Sequence, residues 1–414
     1  MRTLSIRRAV VALVAVVLVQ PVALVAATRP SAAAPAPGYA PVSPFRVWDS
    51  RFGPGPTGRI GAGQSRDITV TGTGGVPATG VTAVVLNVTA VAPTAGTFVT
   101  AWPTGEPRPN ASNLNVPAGD IRPNLVTVKV SPTGQVSFYN DAGTVDLIAD
   151  IAGWYGPTAP RRYTPVSPTR VWDSRFGPGP TGRVPAGATI ELPIVAAAGL
   201  PDSGVLAVAV NVTAVNPSAD TFITVWPAGE AKPLASNLNI PAGDTRPNLV
   251  IVKTIDLGHG VSTNGTVSFY NQSGSVDLIA DVAGYFSNAG DGLTSLSPSR
   301  VWDSRVGPGP VGRVGAATTR EITVTGIGGV PLTGVTAVVL NVTSVAPSTG
   351  TYVTAWPTGE TRPNASNLNV PPGDTRPNLV IVKVGENGKV SFYNDAGTND
   401  LIADIAGWFG PSVP

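Results

Sequence analysis

One ordered set of motifs runs through this 414-residue chain three times. Arg46-Val47-Trp48-Asp49-Ser50-Arg51 returns at residues 170–175 and 300–305. Asn87-Val88-Thr89 returns at Asn211 and Asn341, and Ala111-Ser112-Asn113-Leu114-Asn115 at Ala235 and Ala365. Arg122-Pro123-Asn124-Leu125-Val126 returns at Arg246 and Arg376. Val136-Ser137-Phe138-Tyr139-Asn140 returns at Val267 and Val390, and Asp146-Leu147-Ile148-Ala149-Asp150 at Asp277 and Asp400. Arg170 lies 124 residues after Arg46, and Arg300 lies 130 after Arg170. The excess falls between Lys253 and Asn264, where the second copy carries the sole histidine, His259, read as a loop residue. A unit of about 120 residues is a whole domain, too long for a solenoid repeat. The expected division is three β modules at 41–156, 163–286 and 293–410. The links at 157–162 and 287–292 are short and leave a rosette and a linear array both open.

Within a module the apolar period is two. Residues 81–91 (VTAVVLNVTAV) are β-branched and almost continuously apolar, as in a central strand buried on both faces. Asn87 inside it is then a buried amide that must find partners, and its glycosylation sequon reads as structural. Residues 98–102 alternate and end at Pro103. Residues 125–130 and 135–139 flank Ser131-Pro132-Thr133-Gly134, a hairpin signal. Residues 147–151 form a further strand, stopped at Gly153. Outside the first residues no window carries a helical stripe. The expected fold class is all-β, with three tandem β-sandwich or jelly-roll-like modules following a signal peptide. The 48 Gly and 42 Pro supply the turns such a fold needs. Cysteine is absent, so no disulfide braces the modules and each relies on its core.

Arg2, Arg7 and Arg8 precede an apolar run, and Val25-Ala26-Ala27 places small residues at a cleavage site before Thr28. Residues 1–27 thus read as a signal peptide, and 28–40 as an Ala/Pro-rich spacer. Export places the protein outside the cell, at its surface or free, with no membrane association after cleavage. The formal charge is +2, but removing those three arginines leaves 24 basic against 25 acidic residues. With no basic stripe, nucleic acid is excluded as a partner.

Three sets of residues bear on function. In RVWDSR, Arg–Asp pairs that fix strand register compete with a ligand-facing Arg/Trp patch. The second set lies between Trp102 and Asn115. An indole beside amide groups is sugar-binding chemistry: the ring stacks on C–H faces and the amides read hydroxyls. The candidate ligand-binding residues are Trp102, Arg108, Asn113 and Asn115, with Trp226, Lys232, Asn237 and Asn239, and Trp356, Arg362, Asn367 and Asn369. The competing reading caps the core with Trp and the loop backbone with Asn. Exposed tryptophans would favour binding, and buried ones a structural role. The third set is Asp120, Asp146 and Asp150, which recur in every copy. Calcium is a weaker option there, because no EF-hand or Gly-Asp repeat accompanies them; no other cofactor or metal is indicated. A Ser-His or Cys-His pair repeated per module is impossible with one histidine and no cysteine. A paired-carboxylate glycoside hydrolase is the third-ranked reading.

RVWDSR, ASNLN, RPNLV and the DLIADIAGWY ending resemble a repeat module of secreted actinobacterial proteins, there a surface or accessory unit, often tandem. The resemblance covers residues 41–410 and implies export and a surface role; it carries over no site residues. The expected function is non-catalytic multivalent binding of polysaccharide or a cell-wall component. The alternative is a structural matrix protein whose modules pack on each other, on further copies or on other surface proteins.

Overall fold

The computed structural model describes residues 36–254 and 265–411. The signal peptide, most of the spacer and His259 lie outside the described residues. The first repeat folds into β1 (Gly38–Asp49), β2 (Gln64–Thr69), β3 (Ala83–Val91), β4 (Thr97–Pro103), β5 (Leu114–Val116), β6 (Ile121–Lys129), β7 (Gln135–Asn140) and β8 (Asp146–Gly156). The second gives β9 (Arg162–Asp173), β10 (Thr189–Pro193), β11 (Ala207–Val215), β12 (Thr221–Pro227), β13 (Leu238–Ile240), β14 (Thr245–Lys253), β15 (Thr266–Asn271) and β16 (Asp277–Ser287). A single helical turn, α1 (Ile194–Ala197), follows β10. The third gives β17 (Gly292–Asp303), β18 (Thr318–Thr323), β19 (Ala337–Val345), β20 (Thr351–Pro357), β21 (Leu368–Val370), β22 (Thr375–Lys383), β23 (Lys389–Asn394) and β24 (Asp400–Gly410). β1 begins at Gly38, inside the stretch read as spacer.

The strands form six four-stranded antiparallel sheets. In the first repeat the orders are β1-β8-β3-β6 and β2-β7-β4-β5, and the other repeats copy them. Each repeat encloses a hydrophobic cluster drawn from both of its sheets. Alternation on β3 explains its unbroken apolar run. Val84, Leu86, Val88 and Ala90 face the first repeat's own cluster. Ala83 and Val85 face a fourth cluster, shared by all three repeats. The hairpin expected around residues 131–134 does not form. The turn is present, with Gly134 N–H donating to Ser131 O at 2.9 Å. However, β6 pairs with β3, whereas β7 pairs with β2 and β4 in the other sheet. Local turn chemistry is satisfied, and the long-range ladders decide the sheet.

All-β structure is as expected. Tandem modules are met only in part, because the six sheets close into a ring and the described residues belong to one compact unit. β6, β14 and β22 meet one another around an axis. The starts of the repeats pair in a cycle: Tyr39 N–H donates to Arg161 O, Tyr163 N–H to Asp291 O, and Leu293 N–H to Pro37 O.

The recurring motifs build the joints. Asn87, 3% exposed, donates to Ser236 O at 2.7 Å and accepts from Asn248 Nδ2 at 2.8 Å. Asn248 Oδ1 accepts from Leu125 N–H at 3.1 Å, and the same bonds link the second repeat to the third and the third to the first. Beside them runs a closed ring of six charges. Arg122 pairs with Asp120 and Asp374, Arg376 with Asp374 and Asp244, and Arg246 with Asp244 and Asp120, each at 2.7–2.8 Å. These arginine side chains are only 8–9% exposed, so every guanidinium needs the partners it has. A cavity of about 30 Å³, lined by Leu114, Pro123, Arg122 and their equivalents, lies on the axis.

Candidate functional site

The loop after β4 decides where the candidate residues go. By alternation Phe98, Thr100 and Trp102 share the face of β4 that points away from the repeat's core. Residues 104–113 fold back over that face. Trp102 Nε1 donates to Glu106 O at 2.9 Å, Thr100 Oγ1 donates to Ala111 O at 2.6 Å, and Asn113 Oδ1 accepts from Ala101 N–H at 2.7 Å. Trp102, Trp226 and Trp356 are therefore only 6–7% exposed. Trp226 and Trp356 make the same bond at 3.0 Å, to Glu230 O and Glu360 O. Asn237 and Asn367 copy Asn113, accepting from Val225 and Ala355 N–H at 2.7 Å. These six side chains hold the loop on the strand, and no sugar ring can reach the indoles.

The loop leaves Phe98 half-buried at its edge, as it does Phe222 and Tyr352. There a cleft opens between neighbouring repeats, and it occurs three times. One, of about 300 Å³, lies between Arg46, Arg51 and Thr89 of the first repeat and Phe222, Lys232 and Asn239 of the second. One of about 550 Å³ sets Arg170, Arg175 and Thr213 against Tyr352, Arg362 and Asn369. One of about 350 Å³ sets Arg300, Arg305 and Thr343 against Phe98, Arg108 and Asn115. Each loop is anchored across its joint, since Glu106 accepts from Ser297 Oγ, Glu230 from Ser43 Oγ and Glu360 from Ser167 Oγ. Hydrogen bonds to Lys129 and Ser297 hold the Glu106 carboxyl below the usual range, so the anchor is ionised at neutral pH.

Each cleft holds one cation stacked on a tyrosine: Arg108, Lys232 or Arg362. They lie over the rings of Tyr139, Tyr270 and Tyr393 at 3.8, 3.4 and 3.5 Å from the centroids. Among the described residues no carboxylate forms an ion pair with any of them, although the hydroxyls of Tyr139 and Tyr393 donate to Asp141 and Asp395 at 3.3 Å. Asn115, Asn239 and Asn369 line the clefts, with Oδ1 accepting from Ser112, Ser236 and Ser366.

RVWDSR serves both structure and cleft. Trp48 is fully buried, donates to Pro56 O at 2.9 Å, and packs on Gly55, whose added Cβ would stand 2.9 Å from the indole. Arg46 pairs across strands with Asp150 at 2.8 Å, and Arg51 with Asp49 at 2.8 Å. Hydrogen bonding to Arg51 holds Asp49 below the usual carboxylate range. Burial pushes Asp150 up, with Arg46 countering. Both arginines also line the cleft, where Arg46 Nη2 donates to Leu234 O of the neighbouring repeat at 3.0 Å. Of the residues weighed as calcium ligands, Asp120 pairs with Arg122 and Arg246, Asp146 with Arg59 and Asp150 with Arg46. Among the described residues no group of three or more His, Asp or Glu side chains is placed to hold a metal ion.

Of the sequence candidates, Arg108, Lys232, Arg362, Asn115, Asn239 and Asn369 line the clefts, and Phe98, Phe222 and Tyr352, which line them too, were not among those candidates. The signal was the alternation of residues 98–102, which sets Phe98 on the face of Trp102.

No family model matches the chain, and no curated protein does. Among solved structures, a triple jelly-roll protein of an archaeal virus turret is 9% identical over 91% of both chains, with a TM-score of 0.18. A chain of Sulfolobus turreted icosahedral virus is 10% identical over 91% of both, also at 0.18. The N-terminal CBM22 tandem domain of Paenibacillus barcinonensis Xyn10C is 11% identical over 60% of this chain and 93% of that one, at 0.15. At these TM-scores the likenesses carry no argument about fold or function.

Proposed function

We propose that this is a secreted, non-catalytic binding protein of actinobacterial surface type, which grips a polysaccharide or cell-wall polymer at three clefts. In this reading each repeat is a jelly-roll sandwich, a reading the orders β1-β8-β3-β6 and β2-β7-β4-β5 support. The sandwiches are fused into one ring, no cofactor is needed, and export follows from the leader at residues 1–27.

The observation that carries the proposal is the threefold recurrence of a cleft with one composition. Each holds a half-buried aromatic ring, a cation stacked on tyrosine with no ion-pair partner among the described residues, and an amide. Aromatic ring, amide and cation together suit a hydroxylated ligand. Three sites on a rigid frame raise avidity for a repeating polymer by about 10²–10⁴ over one site. The test is co-sedimentation with insoluble polysaccharides and purified cell wall, beside Arg108→Gln/Lys232→Gln/Arg362→Gln. Retention of the parent and loss of the folded variant is the expected result. Equal retention of both, or of neither, contradicts it.

A second reading, a structural surface protein, is favoured by the burial of Trp102, Trp226 and Trp356. It expects no retention on any polysaccharide, and self-association at high concentration instead.

A further inference from the structure

Charge within the clefts goes further than the presence of a site. The chain without its leader is close to neutral, yet each cleft is lined by three basic residues and no acidic one. Two of the three, such as Arg46 and Arg51, are neutralised from behind by Asp150 and Asp49. The third, Lys232 or its equivalent, lies over a tyrosine ring and has no ion-pair partner among the described residues. One such cation per cleft matches one anionic group per bound unit.

The remaining lining identifies the rest of that unit. Thr213 and Thr343, 1% and 2% exposed, line two of the clefts, and their hydroxyls have no hydrogen-bond partner. A buried hydroxyl without a partner costs stability, and a ligand atom seated in the cleft would offset that cost. Beside them Ile279 and Ile402 offer an apolar floor and Tyr352 and Phe98 a ring. Charge, hydroxyl partners and an apolar face are the three features of an acidic sugar.

From this we infer that the clefts recognise acidic glycans, with a sugar carboxylate at Arg108, Lys232 or Arg362 and a ring hydroxyl at Thr213 or Thr343. The inference rests on the binding function proposed above and names its ligand class. The test is affinity electrophoresis of the full mature chain in gels containing polygalacturonate, poly(glycerol phosphate), or neutral dextran. Retardation by polygalacturonate alone, abolished by high salt, is expected. Arg108→Gln/Lys232→Gln/Arg362→Gln should weaken it by about tenfold or more. Thr213→Val/Thr343→Val should weaken it severalfold with no fall in melting temperature, because valine removes an unsatisfied group. Equal retardation by dextran overturns the acidic-ligand assignment and leaves a polysaccharide binder. Preference for poly(glycerol phosphate) overturns the carboxylate. Retardation by none of them, with no retention on cell wall, overturns the binding function itself. A Thr→Val pair that binds as the parent does overturns the role of the hydroxyls.

Discussion

Replacing Asn248 by alanine tests whether the joints are integral to the fold. The side chain is 1% exposed and makes three bonds. It donates to Asn87 Oδ1 at 2.8 Å and to Asn237 O at 2.7 Å, and accepts from Leu125 N–H at 3.1 Å. Asn248→Ala leaves three buried groups unpaired, two of them in the neighbouring repeat, at about 1–3 kcal/mol each. Water entering the vacated space satisfies part of this, so the expected loss is about 3–5 kcal/mol. The melting shift depends on what unfolds. The compact unit Ala34–Pro414 has an unfolding entropy of roughly 0.8 kcal/mol/K, and one repeat roughly 0.26. A fused ring therefore shifts by about 4–6 °C in one transition, whereas an independent module shifts by about 12–19 °C while its neighbours stay put. Differential scanning calorimetry separates the two. A loss under about 1 kcal/mol, or a shift confined to one of several transitions, would refute the claim that these amides join the repeats.

A Cβ on Gly153 would meet Tyr39 Oη at 2.2 Å, and one on Gly284 would meet Tyr163 Oη at 2.2 Å, whereas Gly407 faces Thr294 O at 2.9 Å and Leu293 at 3.0 Å. Gly153→Ala and Gly284→Ala should therefore each cost about 1–3 kcal/mol or more in urea unfolding, and Gly407→Ala less. Burial raises the Asp120, Asp244 and Asp374 carboxyls, but the ring arginines more than offset it and hold all three below the usual range. A depressed carboxyl contributes stability above its unfolded value near 4, lost as pH falls through the folded value, so the urea midpoint should drop below about pH 4. Asp150, Asp281 and Asp404 are raised by burial and act with the opposite sign, softening that limb. Arg246→Met removes one of two partners of Asp120 and should move the limb to higher pH. Phe52 and Phe176 are 83% and 82% exposed, so Phe52→Ser and Phe176→Ser should change stability by no more than about 0.5 kcal/mol in the same assay.

What the sequence revealed and what it concealed follow from the range of each interaction. Strands came from alternation, a local property, and the two-faced burial of β3 was legible in residues 83–91. The partner of its second face is another repeat, which no local pattern encodes. The turn at residues 131–134 was legible too, but the sheet that β7 joins is fixed by strands far away in sequence. Trp102 misled because composition does not say which side of a strand a loop covers. Its indole hydrogen is taken by a carbonyl four residues on, and the cleft opens at Phe98 instead. Arg122 and Asp120 read as a local pair, and that pair exists, but each also reaches into a neighbouring repeat. The asparagines of NVT, ASNLN and RPNLV recur because each repeat meets the next in the same way.

The most direct test of the account is the number of ligands one chain takes up. Titration calorimetry of the mature protein with a short galacturonate oligomer should give three per chain, and Lys232→Gln should reduce this to two without altering the remaining sites. One ligand per chain, or a stoichiometry that Lys232→Gln leaves unchanged, would contradict binding at the clefts between repeats.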